Sequence, residues 1–253
     1  MSAFSLQGKT AFVTGGGGGL GSVACATLAR AGAAVAVVAR SADKCEAVAK
    51  ALRDKGGRAV AVSADVLDQA QINAALNVAE DALGPIDILV NNAGVTSPKG
   101  LLDLTVEDWD GVVDVSMKGT FLCTQAVARG MIERRRGRII NMGSILSERG
   151  VARRSAYSAA KAGLANFTRA CAVELGPHGI TVNALGPTVI VTDLNRTMVE
   201  MQPELYRAIV DRTPLGRLGE TSDLEGPLVF LASDAAAFVS GQILYVDGGY
   251  TAS

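Results

Sequence analysis

An apolar run, Thr10 to Thr14, breaks directly into consecutive glycines from Gly15 to Gly19 and passes through Leu20-Gly21 into an apolar-periodic segment closed by Gly32. Glycines in series cost backbone entropy on folding, so a run of them between a strand and a helix suits a tight, functional turn better than a linker. Strand, glycine turn and helix together place backbone N–H groups and a positive dipole end where a pyrophosphate can sit. Gly16-x-Gly18-x-x-Gly21 fits the general dinucleotide fingerprint, and Thr14-Gly15-x-x-x-Gly19-x-Gly21 fits a longer-spaced variant. A plain tight turn is the competing reading.

The rest of the chain continues the alternation. Strands are expected at 33–39, 58–63, 86–90, 138–142, 180–185 and 243–246. Helices are expected at about 20–31, 42–55, 69–83, 105–133, a segment through Tyr157 ending near Gly176-Pro177, and 223–233. Apolar strands alternating with helices predict an α/β fold: a single doubly wound domain over residues 1–253 with a mainly parallel seven-stranded sheet. At 253 residues and 49% hydrophobic composition the chain can bury such a core. Residues 188–217, polar and amphipathic by turns, read as a mobile cover over a pocket.

Functional residues are expected where strands end. Roughly twenty residues past the glycines an NAD enzyme places an acid for the ribose hydroxyl; here stand Ala39, Arg40 and Ser41. An arginine suits a 2′-phosphate, which favours NADP(H). NAD(H) stays possible if Ser41 only caps the next helix and Arg40 only stacks on the adenine. Asp65-Val66 either meets the adenine edge or caps a turn, and both readings stay open. Asn91-Asn92-Ala93-Gly94 follows a buried strand, at the sheet edge where ligands bind in open α/β folds. Tyr157 and Lys161 are one helical turn apart and share a face, with Ser144 upstream. A free phenol, with a pKa of about 10, is a poor proton carrier at neutrality. A neighbouring ammonium should lower it toward a working general acid/base, with Ser144 bonding a carbonyl or alcohol oxygen. The bland alternative is a tyrosine covering a helix face beside a snorkelling lysine.

Composition excludes several classes. A formal net charge of -1 makes no electrostatic case for nucleic acid or an acidic membrane. Arg134-Arg135-Arg136-Gly137-Arg138 reads as a solvated helix end. Cys25, Cys45, Cys123 and Cys171 lie apart without a C-x-x-C and read as thiols in a reducing compartment. The single histidine, His178, reads as a surface turn residue, so no metal site is expected. Gly143-Ser144 is not within G-x-S-x-G, which argues against hydrolysis. With no charged start before an apolar run and no membrane-length segment, a cytoplasmic protein is expected.

Glycine turn, Asn-Asn-Ala-Gly, Gly-Ser, Tyr-x-x-x-Lys and the closing Val246-Asp247-Gly248-Gly249, in this order and spacing, resemble the classical short-chain dehydrogenase/reductase family over nearly the whole chain. The resemblance implies a Rossmann-type fold, a nicotinamide cofactor and a homotetramer. It implies a small carbonyl/alcohol substrate such as a sugar, polyol or keto-acid, with a 3-oxoacyl thioester as the alternative. A non-catalytic NADP-binding regulator, dehydratase or epimerase on the same scaffold is a lesser alternative. By family pattern Tyr157 is the proton donor/acceptor, Ser144 orients the substrate oxygen, and Lys161 holds the nicotinamide ribose and lowers the tyrosine pKa. Gly15, Gly17, Gly18, Gly19, Leu20 and Gly21 surround the phosphates, Arg40 meets the 2′-phosphate, and Asp65 and Val66 meet the adenine. Asn92 and Gly94 lie by the adjoining ribose, while Pro187, Ile190 and Thr192 line the nicotinamide. The sequence departs from the pattern twice. Ser116 replaces an asparagine associated with a proton relay, which implies a slower enzyme, and Thr188 replaces the glycine after Pro187. Arg149, Arg153, Arg154 and Arg196 flank the expected site and are either attractors for a carboxylate or phosphate or ordinary surface charges.

Overall fold

The computed structural model describes residues 3–193 and 195–253. Strands β1 (Thr10–Thr14), β2 (Ala34–Ala39) and β3 (Ala59–Ser63) alternate with helices α1 (Gly19–Arg30), α2 (Ala42–Asp54) and α3 (Gln69–Leu83). Then follow β4 (Ile88–Asn91), α4 (Val106–Val113), α5 (Gly119–Arg134), β5 (Gly137–Met142), α6 (Ser155–Leu175) and β6 (Ile180–Pro187). The chain ends with β7 (Ile190–Val191), α7 (Arg196–Met201), α8 (Pro203–Asp211), β8 (Gly219–Glu220), α9 (Thr221–Ala232) and β9 (Ile243–Val246). The main sheet has seven strands in the order β3-β2-β1-β4-β5-β6-β9, and every described pairing in it is parallel.

Side-chain alternation along the strands builds two cores. In β1, Ala11 and Val13 face helices α1, α2 and α9, while Phe12 faces α3, α5 and the end of α6. The doubly wound form follows from strands apolar on both faces. Local signals set the helix ends. Ser41 caps α2 by accepting from the Lys44 N–H, Asp68 caps α3 through the Ala70 and Gln71 N–H groups, and Thr105 and Asp108 form a capping box at α4.

Two expectations are corrected. The helix expected to run unbroken over 105–133 widens between α4 and α5 into a π-helical turn, Asp114–Lys118, the kind of insertion that re-aims side chains. The arginine cluster does lie at the exposed end of α5, but its side chains are not merely solvated. Arg134 donates to the Ile86 carbonyl, Arg135 to Pro177 and Arg136 to the Asp87 carboxylate, and Arg138 reaches Asp234. These bonds staple the amino-terminal edge of the sheet, and a second carboxylate oxygen of buried Asp87 accepts from the Thr10 N–H. Arg135 also adopts a left-handed conformation as the α5 cap.

Behind the carboxyl edge lies a buried polar chain. Asn91 donates to Asn141 at 2.9 Å and to Thr124 at 3.0 Å, and Asn141 donates to Thr168 at 2.9 Å, whose hydroxyl donates to the Leu164 carbonyl. Asn141 and Thr168 are both 0% exposed, so this chain locks β4 and β5 to α5 and α6 where water cannot substitute. Asn141→Ala strands buried partners on two elements and is expected to cost about 2–4 kcal/mol. The check is the urea midpoint at constant slope, and a loss below about 0.5 kcal/mol would show the chain to be idle.

Candidate active site

Between β1 and β4 the strand order reverses, and the loops leaving these strands part to form a crevice. The glycine turn meets this crevice in a very close backbone approach. A Cβ at Gly21 would lie 2.0 Å from the Gly15 carbonyl oxygen, and Gly15 itself has φ 65 beside the Asn92 amide. Gly18, the N-cap of helix α1, offers no side-chain cap, its carbonyl accepts from the Gly21 N–H, and the positive end of the helix is left for a ligand at the crevice. Asn92 donates to the Thr14 and Gly15 carbonyls, and the Thr14 hydroxyl accepts from the Asn92 and Ala93 N–H groups. Thr14, which opens the longer-spaced glycine pattern, is therefore a positioning residue, a role the pattern alone did not assign to it.

Gly17, Gly18, Gly19 and Leu20 lie on this turn, and Gly94 lies beyond Asn92 at the same edge. Arg40 is exposed, and no acid stands with it at the end of β2. Among the described residues the Arg40 guanidinium has no ion-pair or hydrogen-bond partner. Asp65 uses its carboxylate to accept from the Leu67 N–H, so the turn-cap reading applies to it. Val66 is buried against Gly119, where a Cβ would come within 2.7 Å of it. An uncapped helix start, a glycine turn crowded at Gly15, Gly16 and Gly21 but open at Gly18, and an unpaired guanidinium at the next strand fit the phosphates of a phosphorylated dinucleotide.

Across the crevice, α6 delivers Tyr157 and Lys161, and the end of β5 delivers Ser144. Lys161 is 4% exposed and its ammonium donates to the Met142 carbonyl at 2.6 Å. Burial without a counter-charge pulls its pKa down to about 8. The Lys161 nitrogen lies over the Tyr157 ring, 5.4 Å from its centroid. The expected net lowering of the tyrosine pKa is corrected. Burial raises it, opposed by the hydrogen bond with Ser144 and then by the charge of Arg154. Ser144 is buried, and its oxygen also accepts from the Leu146 N–H.

Ser116 enters from the π-helical turn. It is 1% exposed and its hydroxyl finds no protein partner. A Cβ placed on Gly94 would sit 3.8 Å from the Ser116 oxygen and 3.9 Å from the Lys161 nitrogen, so the three converge on one spot. Pro187, Ile190 and Thr192 are buried along the wall leading to the cover segment. The Asn195 side-chain amide bridges this wall, accepting from the Thr192 N–H at 2.7 Å and donating to the Ile190 carbonyl at 2.9 Å. The two ends of the segment after β6 are tied by a short parallel ladder, β7 with β8. Thr188 is half-buried, with its hydroxyl unpaired.

Other candidates are engaged by the protein itself or lie in turns. Arg149 is held by the Thr251 and Ser253 carbonyls, and Arg196 lies 3.6 Å from Asp193. His178 sits half-buried in a turn after α6. Cys25, Cys45 and Cys123 are buried and Cys171 partly so, all as free thiols. Among the described residues no cluster of metal-binding side chains occurs, and no helix is long and apolar enough to cross a membrane.

Comparison with known proteins agrees with this geometry. Residues 16–251 match the family model described as Enoyl-(Acyl carrier protein) reductase. The chain is 42% identical to cis-4-hydroxycyclohexanecarboxylate dehydrogenase of Sinomonas cyclohexanicum, over 96% of this chain and 97% of that one. It is 41% identical to a 3-oxoacyl-(acyl-carrier-protein) reductase of Pseudomonas aeruginosa, over 97% and 98% of the two chains. Its structure superposes on gluconate 5-dehydrogenase from Burkholderia cenocepacia in complex with NADP and tartrate, with a TM-score of 0.95 and 39% identity over 99% of this chain and 98% of that one. A Rossmann-type sheet, the crevice at its strand reversal and full-length likeness to these enzymes place the chain in the short-chain dehydrogenase/reductase family.

Proposed function

We propose that this chain is an NADP(H)-dependent oxidoreductase that interconverts a secondary alcohol and a ketone. The observation that carries the reading is the convergence of Ser144, Tyr157 and Lys161 opposite the glycine cradle. The glycine turn from Gly15 to Gly21 and the start of α1 would hold the pyrophosphate, Arg40 the 2′-phosphate, and Asn92, Gly94 and Lys161 the nicotinamide end. When bound, the nicotinamide supplies or takes up the hydride.

The protein's own part is orientation and proton transfer. Burial keeps the proton on Tyr157, the form needed to protonate the oxygen of a ketone during reduction. Ser144 holds that oxygen beside the phenol. Lys161 keeps a fixed charge beneath the ring through its bond to Met142, and Ser116 shares its spot as a compact relay member in place of an asparagine. Residues 188–217 cover the pocket and exclude water. A 3-oxoacyl thioester reductase uses the same chemistry, and the Pseudomonas relative favours it as the second reading. Exposed Trp109 and Phe121 on α4 and α5 support a homotetramer, and free thiols support a cytoplasmic setting.

The direct test follows NADPH and NADH oxidation with ketoses, keto-acids, diketones and 3-oxoacyl esters. NADPH should be preferred, and Arg40→Ala should cut that preference about tenfold; a wild-type preference for NADH overturns the role of Arg40. Tyr157→Phe should lower kcat by at least about 1,000-fold while leaving NADPH affinity, read by fluorescence, near wild type. Undiminished turnover sinks the proton-transfer role.

Lys161 also predicts a pH signature. Its folded pKa lies at about 8, against 10.5 ordinarily. Between these values the unfolded chain holds a proton that the folded chain has released. The group therefore penalises folding below the window, and the penalty is relieved as pH rises through it. Relative to Lys161→Met, wild-type stability should rise by roughly 3 kcal/mol between about pH 7.5 and about pH 10. Urea denaturation of both proteins checks this, and a flat difference would mean the ammonium is not held in a desolvated site.

A further inference from the structure

The cations around the mouth of the site differ in one respect: most are already paired. Arg149 is committed to the carbonyls of Thr251 and Ser253, Arg196 faces Asp193, and Lys99 bonds Asp108 at 2.6 Å. Arg212 lies over the Tyr250 ring, and Arg153 donates to the Pro98 carbonyl at 3.1 Å. Arg154, like Arg153, bonds only a neutral oxygen, but of the two it alone is withdrawn from solvent. It stands three residues before Tyr157, is half-buried, and uses Nη1 to donate to the Thr96 hydroxyl at 2.6 Å. Thr96 belongs to the loop that follows Gly94, so this bond fixes the guanidinium across the mouth between that loop and α6. Among the described residues no carboxylate lies within ion-pair distance of Arg154, and the rest of its donor fork has no protein acceptor.

That placement is electrostatically costly as it stands. Arg154 is the N-cap of a 21-residue helix with no acidic residue in its first turn. Cations are disfavoured at this end, where the helix dipole already points its positive pole. The preceding Arg153 holds φ 63, a left-handed conformation that a side-chain-bearing residue adopts only when its surroundings enforce it. Such an arrangement is relieved by an anion arriving from outside. A single planar fork, with its neighbours committed elsewhere, matches one carboxylate better than a doubly charged phosphate, which draws several cations.

We propose that Arg154 is the specificity-determining residue, pairing with a carboxylate carried by the substrate while the reacting oxygen lies between Ser144 and Tyr157. The proposal rests on the alcohol/ketone reading above and narrows it to hydroxy-acid/oxo-acid pairs. Proximity agrees: Arg154 is close enough for its charge to act on the Tyr157 hydroxyl.

The test compares kcat/KM for 4-oxocyclohexanecarboxylate and 5-ketogluconate, each against its methyl ester, with NADPH in the wild type, Arg154→Gln and Arg154→Lys. The wild type should favour the acid of the better pair by tenfold or more, and Arg154→Gln should reduce that acid-to-ester ratio by about 100-fold, chiefly through KM. Arg154→Lys should recover part of the ratio, since charge survives but the planar fork does not. Acid and ester falling together in Arg154→Gln would assign the residue a structural role and overturn the proposal, as would a wild type that reduces esters as well as acids. Oxidation of NADPH with no ketone of any class defeats the parent reading, and this one with it.

Discussion

The first strand has to reverse into its helix within a turn so tight that the Gly15 carbonyl and Gly21 occupy what would be one side chain's volume. Everything at the carboxyl edge depends on that contact. It allows the α1 N-terminus to approach the crevice, and it is braced from the far side of the strand reversal by Asn92 and Thr14, whose side chains bond across β1 and β4. A methyl group at Gly21 would push apart the strands whose separation defines the pocket, which is why the glycines there serve close approach before flexibility.

Opposite this cradle, the catalytic helix is anchored from beneath. The Lys161 ammonium on Met142 and the polar chain through Asn91, Asn141 and Thr168 pin α6 to the sheet at separate heights. These bonds are buried, so their geometry holds without competition from water. The segment after β6 is built differently. Its helices α7 and α8 are largely exposed, while its later part is held to the C-terminal turn by the Leu215 N–H on the Gly248 carbonyl, by Ser253 on the Arg212 carbonyl and by Arg212 over the Tyr250 ring.

Much of the fold was legible because the chain punctuates itself. β1, α3 and β9 have the bounds read from the sequence, since Gly15, the Asp68 cap with Gly84, and Asp247 each end an element by local chemistry. Residues 105–133 were harder: apolar periodicity continues through Asp114–Lys118, and nothing in composition reveals a wider turn. The arginine cluster reads correctly as an exposed helix end, but a charge run leaves no mark of its bonds to distant carbonyls. For the site, the motifs located Ser144, Tyr157 and Lys161. The sign of the tyrosine's shift was not legible, because it depends on how deeply the phenol is buried.

The wide turn that carries Ser116 joins two helical halves of different duty, α4 bearing partly exposed Trp109 and α5 packed into the core. Each residue of a regular helix advances by roughly 100°, so the extra residue in the π turn sets the rotational phase of one half against the other. Removing a single residue there would leave a smoother cylinder but swing the α4 face by about that angle. The outer surface and the reaction centre are thus geared through one irregular turn, and neither can be re-indexed alone.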